Sequence, residues 1–156
     1  MNAAHEVIAL LRNELGVVLS STLARLVLAA ILGGIIGLER QLRHKPAGLR
    51  TNMFICFGAA MFTVLSKQLA GVESDSARIA AQIIPGIGFL GAGVVIRERG
   101  TIIGITSAAT IFVVASIGMT IGAGLYVTGI FTMLLLLGSL IFIGSIEQGL
   151  ASRQGS

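Results

Sequence analysis

Five long apolar windows dominate this chain of 156 residues and decide which class of fold it can adopt. A helix of about 20 apolar residues, rising about 1.5 Å per residue, crosses the roughly 30 Å hydrocarbon core of a bilayer. Only 12% of the residues are charged, whereas a soluble domain would carry about 25%. The sequence therefore predicts an all-α, multi-pass membrane protein with a single domain and five spans, at about 17–38, 49–66, 79–96, 102–121 and 125–146.

The basic residues of the connections predict the orientation of these spans. Connections 39–50, 97–101 and 147–156 hold seven Lys or Arg residues, and the opposite side holds three, Arg12, Lys67 and Arg78. Because short cytoplasmic loops carry an excess of Lys and Arg, we expect the N-terminus outside and the C-terminus in the cytoplasm. Residues 1–16 lack the features of a secretory signal and form either a short interfacial helix or an exposed, frayed end.

Several classes of function are excluded by the residues that the chain lacks. The two histidines, His5 and His44, lie outside the spans, so a serine within the bilayer has no general base, and we predict no enzyme. The GxGxxG match from Gly86 to Gly91 follows no predicted strand, which argues against a dinucleotide site. A single cysteine, Cys56, rules out an intrachain disulfide and a Cys-based metal cluster. The absence of a basic stripe with interleaved aromatics argues against nucleic acid as a partner.

We expect the segment from Asp75 to Ile96 to organise the rest of the chain. Its apolar run is interrupted by Pro85 and by four glycines, Gly86, Gly88, Gly91 and Gly93. Pro costs about 3 kcal/mol in a helix interior and Gly up to ~1 kcal/mol, yet both are tolerated in membranes where neighbouring helices or a protected cavity satisfy the backbone. Such a broken helix with ionisable residues at its end is typical of a binding or permeation element. The alternative is close helix packing.

A polar route along the third and fourth spans can be drawn from one face of the membrane to the other. Its candidate residues are Asp75, Arg78, Glu39, Arg40, Gln82, Arg25, Thr106 and Thr110. Asp75 and Glu39 are the candidate metal ligands, because Mg²⁺ binds through one or two carboxylates and keeps several waters. The alternatives are a surface pair between Asp75 and Arg78 and an interfacial anchor at Glu39 and Arg40. Arg25 either extends to the near interface or faces an acidic partner.

Two GxxxG pairs, Gly33 with Gly37 and Gly118 with Gly122, predict faces of close helix packing. These faces suit self-association and the docking of another membrane protein equally. Because five helices are few to enclose a pathway, we expect a homo-oligomer, at least a dimer. The fifth span is the most uniformly apolar and is predicted to be the most exposed to lipid.

Three strings of the chain closely resemble the bacterial MgtC/SapB family. They are GGIIGLERQLRHKPAGLRT (33–51), RIAAQIIPGIGFLGAGVVI (78–96) and TSAATIFVVASIGMTIGAGLY (106–126). The resemblance covers about residues 30–130 and implies a five-helix protein of the bacterial inner membrane, linked to magnesium limitation, acid stress and survival inside host cells. The family's ER motif matches Glu39 and Arg40, its D-x-x-R motif matches Asp75 and Arg78, and its KPAGLRT loop matches residues 45–51.

The chain also departs from the family pattern. Pro85 stands where members often have Ser, Asn52 replaces a common His, and Phe112 replaces a common Trp. Many members continue into a soluble C-terminal domain, so a chain that stops at Ser156 is expected to represent the short SapB- or YhiD-like branch or a truncated protein.

The resemblance implies two functional hypotheses. Family members were first considered Mg²⁺ transporters, which suits a pathway for Mg²⁺ or another cation. A later view makes them non-transporting modulators of other membrane machinery, such as the ATP synthase.

Overall fold

The structure, a computed structural model, describes residues 2–70, 75, 77–98 and 101–154, with side chains placed at 21–70, 75, 77–95 and 103–144. The elements are α1 (Asn2–Leu42), α2 (Leu49–Leu69), α3 (Arg78–Ala81), α4 (Ile83–Val94), β1 (Ile96–Glu98), β2 (Thr101–Ile103), α5 (Ile105–Ala123) and α6 (Tyr126–Gln154). Over the described ranges the fold is helical apart from one short hairpin. Residues 2–16 continue into the first span as one helix and do not form a separate short helix.

Helix α5 lies at the centre of the fold and packs against α1, α2, α4 and α6. Its residues Ile111, Val114, Ile117 and Ile121 are completely buried. The expectation that segment 75–96 organises the chain is therefore wrong. The reason is that small residues on several faces of α5 let neighbours approach from all sides, whereas much of α4 is exposed.

The two GxxxG pairs bring α1 and α5 against the backbone of α2. A Cβ atom on Gly33 or Gly37 would lie 2.6 Å or 2.7 Å, respectively, from a backbone atom of α2. On Gly118 or Gly122 it would lie 2.9 Å from a backbone atom of the same helix. Real Cβ atoms do not come so close, so α2 is held between α1 and α5 at a separation that only glycine permits.

The helix of the third span is broken at Gln82, between α3 and α4. Pro85 has no N–H to donate to the carbonyl of Ala81, and its ring disfavours an uninterrupted helix. The chain makes a tighter turn there, in which the Gln82 amide donates to the Ile79 carbonyl at 3.1 Å.

A two-stranded antiparallel hairpin follows α4, with Ile96 paired to Ile103 and Glu98 paired to Thr101. The predicted spans placed Ile96 and Ile103 in helices, which is wrong for both residues. β-Branched residues fit the pleated surface of a strand better than a helix, and an apolar window does not distinguish the two.

Four helical segments are long and apolar enough to cross a membrane: Ser21–Leu42, Leu49–Leu69, Ile105–Ala123 and Tyr126–Gly144. The segment Arg78–Val94 is apolar but shorter. It runs between the same two ends of the bundle, because the Ala80 amide donates to Ser66 Oγ beside the end of α2 and Val94 lies against Gly104 at the beginning of α5. A fifth span and the orientation of the termini stay predictions.

Candidate functional site

Arg40, in the last turn of α1, is the most deeply buried charged side chain among the described residues, with 4% of its surface exposed. Its Nη2 donates a hydrogen bond of 3.0 Å to Ser107 Oγ in the first turn of α5. Its Nη1 lies 4.0 Å from Glu39 Oε2, and its Nε has no hydrogen-bond partner. We call this end of the bundle the Arg40 end.

Glu39 is paired with two cations that lie close to it in the sequence. Arg43 Nε lies 2.6 Å from Glu39 Oε1, one helical turn further on, and the Glu39 side chain is 10% exposed. Neither carboxylate oxygen forms a geometrically good hydrogen bond, so the contact with Arg43 is mainly electrostatic. Arg43 was not among the predicted site residues, although its i, i+4 spacing from Glu39 is the signal that could have found it.

Asn52 shapes the connection from α1 to α2, which contains the KPAG part of the family motif. This completely buried residue donates from Nδ2 to the carbonyls of Ala47 and Gly48, the latter at 3.0 Å. His44 and Ala47 have φ angles of 50° and 60°, a left-handed conformation that is uncommon outside glycine. The sequence analysis noted Asn52 only as a departure from the family, whereas here it holds the strained connection in place.

At the opposite end of the bundle, which we call the Arg25 end, two cations bind the C-terminal carbonyls of α5. Arg25 Nη1 donates to Gly122 O at 3.2 Å and its Nε donates to Tyr126 Oη at 3.0 Å. Lys67 Nζ donates to Ala123 O at 2.9 Å. Positive charge at a helix C-terminus complements the helix dipole. The partners of Arg25 are thus a carbonyl and a phenol and not the acidic residue of one predicted alternative. Its extension to the near interface stays a prediction.

Asp75 and Arg78 lie exposed before and at the start of α3. Asp75 Oδ1 accepts a hydrogen bond of 2.8 Å from the Ala77 amide, and the Asp75 carbonyl accepts from the Arg78 amide at 3.3 Å. Asp75 thus acts as a local turn-former beside α3. Glu73, which precedes Asp75 by two positions in the sequence, lies outside the described residues.

The other predicted polar residues are divided between two places. Thr106 and Thr110 are joined within α5, where Thr110 Oγ1 donates to the Thr106 carbonyl at 2.8 Å. Thr110 is buried and Thr106 is exposed at the Arg40 end. Gln82 lies exposed at the break between α3 and α4. The structure therefore brings Arg40 and Thr106 to one end and leaves Asp75, Arg78 and Arg25 at the other.

A groove of about 690 Å³ separates α2 from α3 and α4. Its walls are apolar except for Thr51 and Gln82. Gly58 of α2 and Gly86 of α4 line the groove, and a Cβ atom on either would meet nothing within 4 Å. Gly88 and Gly93 also face open space, but they do not line the groove. Gly91 differs, because its Cβ would lie 3.6 Å from that of Ala108 in α5.

The described residues include no group of three or more His, Cys, Asp or Glu side chains that could hold a metal ion. Asp75 and Glu39 belong to opposite ends of the bundle and do not share one site. Their roles as separate metal ligands stay predictions.

The model of the MgtC family matches residues 26–149. "Putative magnesium transporter YhiD" of Escherichia coli K12 is 49% identical over 114 residues, which cover 69% of this chain and 53% of that protein. "Protein MgtC" of Brucella abortus is 50% identical over 107 residues, with 69% and 44% covered.

A more distant relative matches a longer stretch. "Protein MgtC" of Salmonella typhimurium is 42% identical over 123 residues, with 79% of this chain and 52% of that protein covered. The chain thus spans about half the length of the relatives it matches. No solved structure matches it.

Proposed function

The chain belongs to the MgtC family, and from that premise we propose that it serves magnesium homeostasis in the bacterial inner membrane as a non-transporting regulatory module. In this proposal a transmembrane helix of another membrane protein docks into the groove between α2 and α4, and docking changes the activity of that protein. The observation that carries the proposal is that Gly58 of α2 and Gly86 of α4 face open space on the two walls of this groove.

The two glycines that line the groove contrast with the two GxxxG pairs. Both pairs are covered by the backbone of α2, whereas Gly58 of α2 and Gly86 of α4 face open space in the groove. Small residues favour helix association in membranes because they let two backbones approach closely. An uncovered face of this kind therefore supports a helix as the missing neighbour.

The dimensions of the groove suit such a helix. The lining of the groove extends along the chain from Ile79 to Val94, which at about 1.5 Å per residue corresponds to roughly 22 Å. This length covers most of the hydrocarbon thickness of a bilayer, about 30 Å. The apolar walls require an occupant that is apolar along the same length.

The two candidate carboxylates support the same conclusion, because both have partners within the chain. Glu39 is held by Arg43 and Arg40, and Asp75 accepts from the Ala77 amide. A carboxylate that binds Mg²⁺ must offer its oxygens to the ion or to the ion's waters. Cation binding at Glu39 would have to displace a guanidinium at 2.6 Å.

Cation handling is the second candidate function, and two observations favour it. One relative carries the printed name "Putative magnesium transporter YhiD". The helix break at Gln82 places a polar side chain on the groove, and broken membrane helices are typical of transport sites. In this alternative Asp75 and Glu39 bind the ion at the two ends of the bundle, and Gln82, Thr106 and Thr110 lie between them.

A flux measurement separates the two candidates. The purified chain is reconstituted into liposomes that contain an Mg²⁺-sensitive dye. The regulatory proposal expects no more Mg²⁺ entry than in empty liposomes. Entry above that background, reduced in Asp75→Asn and in Glu39→Gln, would overturn it in favour of cation handling.

The groove is tested by filling it. We expect Gly86→Leu, which places a side chain in the groove, to abolish the ability of the chain to restore growth at low Mg²⁺ in a bacterium that lacks its own family member, with unchanged amounts of protein in the membrane. Gly138→Leu is the matched control, because Gly138 also faces open space but lies on α6. Normal growth with Gly86→Leu would contradict the proposal.

The identity of the docked helix is tested by disulfide formation. Gly86→Cys, at a position that lines the groove, is placed in a chain whose single cysteine has been removed by Cys56→Ala, and membranes are oxidised. A disulfide-linked dimer of the chain would show that a second copy occupies the groove, and it would replace the regulatory proposal with a homo-oligomer.

A further inference from the structure

A second cavity, of about 550 Å³, lies at the Arg40 end between the last turn of α1, the beginning of α5 and α6. Three cationic side chains line it, those of Arg40, Arg43 and Lys45, together with the hydroxyl groups of Ser107 and Ser139. We call this cavity the basic pocket. It is separate from the groove between α2 and α4, and the inference below does not depend on what occupies that groove.

The basic pocket carries more positive than negative charge. Its only ion-paired carboxylate among the described residues is that of Glu39, which contacts Arg43 at 2.6 Å and Arg40 at 4.0 Å. Three cations against one carboxylate leave a surplus of two positive charges. Such a surplus is costly where water is partly excluded, and a bound anion would compensate it.

Arg40 is an incompletely satisfied donor at this pocket. It is 96% buried, since only 4% of its surface is exposed, and its Nε has no hydrogen-bond partner. Buried polar groups are almost always hydrogen-bonded. A guanidinium pairs best with an oxyanion, to which it donates charge-assisted hydrogen bonds.

The beginning of α5 contributes a second, independent source of positive potential. Gly104 precedes the helix with φ 98° and provides no side-chain cap. A Cβ at Gly104 would collide with the carbonyl of Val94, so a capping Ser or Asp does not fit. The first amides of α5 therefore lack the usual capping oxygen, and they lie at the positive end of the helix dipole.

The remaining wall of the pocket is apolar. Leu140 and Ile143 of α6 line it, and Ile143 is 54% exposed on the outer surface of the bundle. The pocket thus combines a cationic interior with an opening beside a lipid-facing helix.

From these observations we infer that the basic pocket binds a phosphate group through Arg40, Arg43, Lys45 and the beginning of α5. The phosphate belongs either to the headgroup of an anionic phospholipid or to free inorganic phosphate. A divalent cation is repelled from the same site.

Unfolding in an uncharged detergent tests the inference with the full chain. Cys56, the single cysteine, is completely buried, so a thiol-reactive fluorogenic dye reports unfolding. One arm compares phosphatidylglycerol with phosphatidylcholine in mixed micelles, and the other compares potassium phosphate with potassium chloride at equal ionic strength. We expect phosphatidylglycerol or phosphate to raise the unfolding midpoint by several degrees over its control.

Two double variants with the same change in net charge locate the effect. Arg43→Gln with Lys45→Gln removes two cations from the pocket, and Arg50→Gln with Arg78→Gln removes two exposed cations elsewhere. We expect the first to weaken binding roughly tenfold or more, because the phosphate loses the charge-assisted hydrogen bonds from two cations. The second should bind as the wild type does.

Each outcome decides between the sources or overturns the inference. A shift with phosphatidylglycerol alone assigns the pocket to a lipid headgroup, and a shift with inorganic phosphate assigns it to the free anion. No shift in either arm, or an equal shift in the pocket variant, overturns the inference. If the pocket variant does not fold, Lys45→Gln alone replaces it, and native mass spectrometry must then show less retained phosphatidylglycerol or phosphate than in the wild type.

Discussion

Arg40 and Ser107, 67 positions apart in the sequence, are joined by a buried hydrogen bond of 3.0 Å. The bond connects the last turn of α1 to the first turn of α5, the most buried helix of the bundle. Two further contacts hold the Arg40 end together. Gly104 lies against Val94, and Asn52 supports the connection from α1 to α2. Arg40 belongs to the ER motif, for which the sequence left an interfacial anchor as an alternative. In the structure its side chain is part of the interior packing.

The first prediction concerns this bond. Ser107→Ala removes the acceptor of Arg40 Nη2, and we expect it to lower the free energy of unfolding by about 1.5–3 kcal/mol, because the buried guanidinium loses a charge-assisted partner. Unfolding in mild detergent, followed by the reactivity of Cys56, measures the loss. Ser116→Ala is the control on the same helix, since Ser116 is exposed and donates only to the Val113 carbonyl. Equal effects of the two substitutions would contradict the assigned role.

Neutralising Glu39 should lower the free energy of unfolding much more than neutralising Asp75. Glu39→Gln leaves Arg43 and Arg40 without their counter-charge, and breaking a buried pair in this way costs about 3–5 kcal/mol. The partial exposure of Arg43 places our expectation at the lower end of that range. Asp75→Asn is the matched control, because Asn can keep the hydrogen bond from the Ala77 amide, and we expect a change below about 0.5 kcal/mol. The same unfolding assay compares them, and a large loss in Asp75→Asn would argue against its local role.

The helical architecture could be predicted from the sequence because the physical signal is strong. Apolar windows of membrane length identify the four long segments directly. The GxxxG spacing also indicates which residues allow close approach, and both pairs contact α2. In each case the information lies within one stretch of the chain.

The arrangement of the helices could not be predicted in the same way. The uniformly apolar composition of the fifth span predicted that it would be the most exposed, and α6 is the least buried of the four long segments. A buried membrane helix is apolar as well, so composition does not reveal that α5 is central. The partners of Arg25 are the Gly122 carbonyl and Tyr126, about 100 positions away, and no local spacing indicates them. The hairpin at 96–103 was missed because its isoleucines also extend the apolar windows.

Gly118→Ala should be strongly destabilising. The added methyl group would lie 2.9 Å from the Cβ of Ala59, and α2 cannot retreat without losing its contact with α1. Overpacking of this kind costs typically about 1–3 kcal/mol, which exceeds the gain of up to ~1 kcal/mol in helix propensity. The amount of folded protein in the membrane and the unfolding midpoint report the change. Gly138→Ala is the control, since its methyl group would meet nothing within 4 Å; a midpoint lowered as much as in Gly118→Ala would contradict the packing argument.

Cys56 should be unreactive in the folded protein. Its side chain is completely buried against α1 and α5, so a membrane-permeant maleimide should label it only after the bundle opens. We expect labelling in mild detergent to be slower by orders of magnitude than in denaturant, in proportion to the small population of open molecules. A cysteine introduced by Leu135→Cys on the exposed face of α6 should label at once. Rapid labelling of Cys56 would show that α2 is not enclosed as described.

The two cations at the Arg25 end should contribute unequally to stability. Arg25 is partly buried and donates two hydrogen bonds, to Gly122 O and to Tyr126 Oη, whereas the exposed Lys67 donates one, to Ala123 O. Charges at a helix C-terminus contribute about 0.3–1 kcal/mol when exposed and up to ~2 kcal/mol when partly buried. We therefore expect Arg25→Gln to lower the free energy of unfolding by about 1–2 kcal/mol and Lys67→Gln by less than about 1 kcal/mol.

Tyr126→Phe separates the two hydrogen bonds of Arg25, because it removes only the phenol acceptor. Unfolding of the three variants in the same detergent measures how much free energy of unfolding each one loses. A larger loss in Lys67→Gln than in Arg25→Gln would contradict the partly buried placement of Arg25.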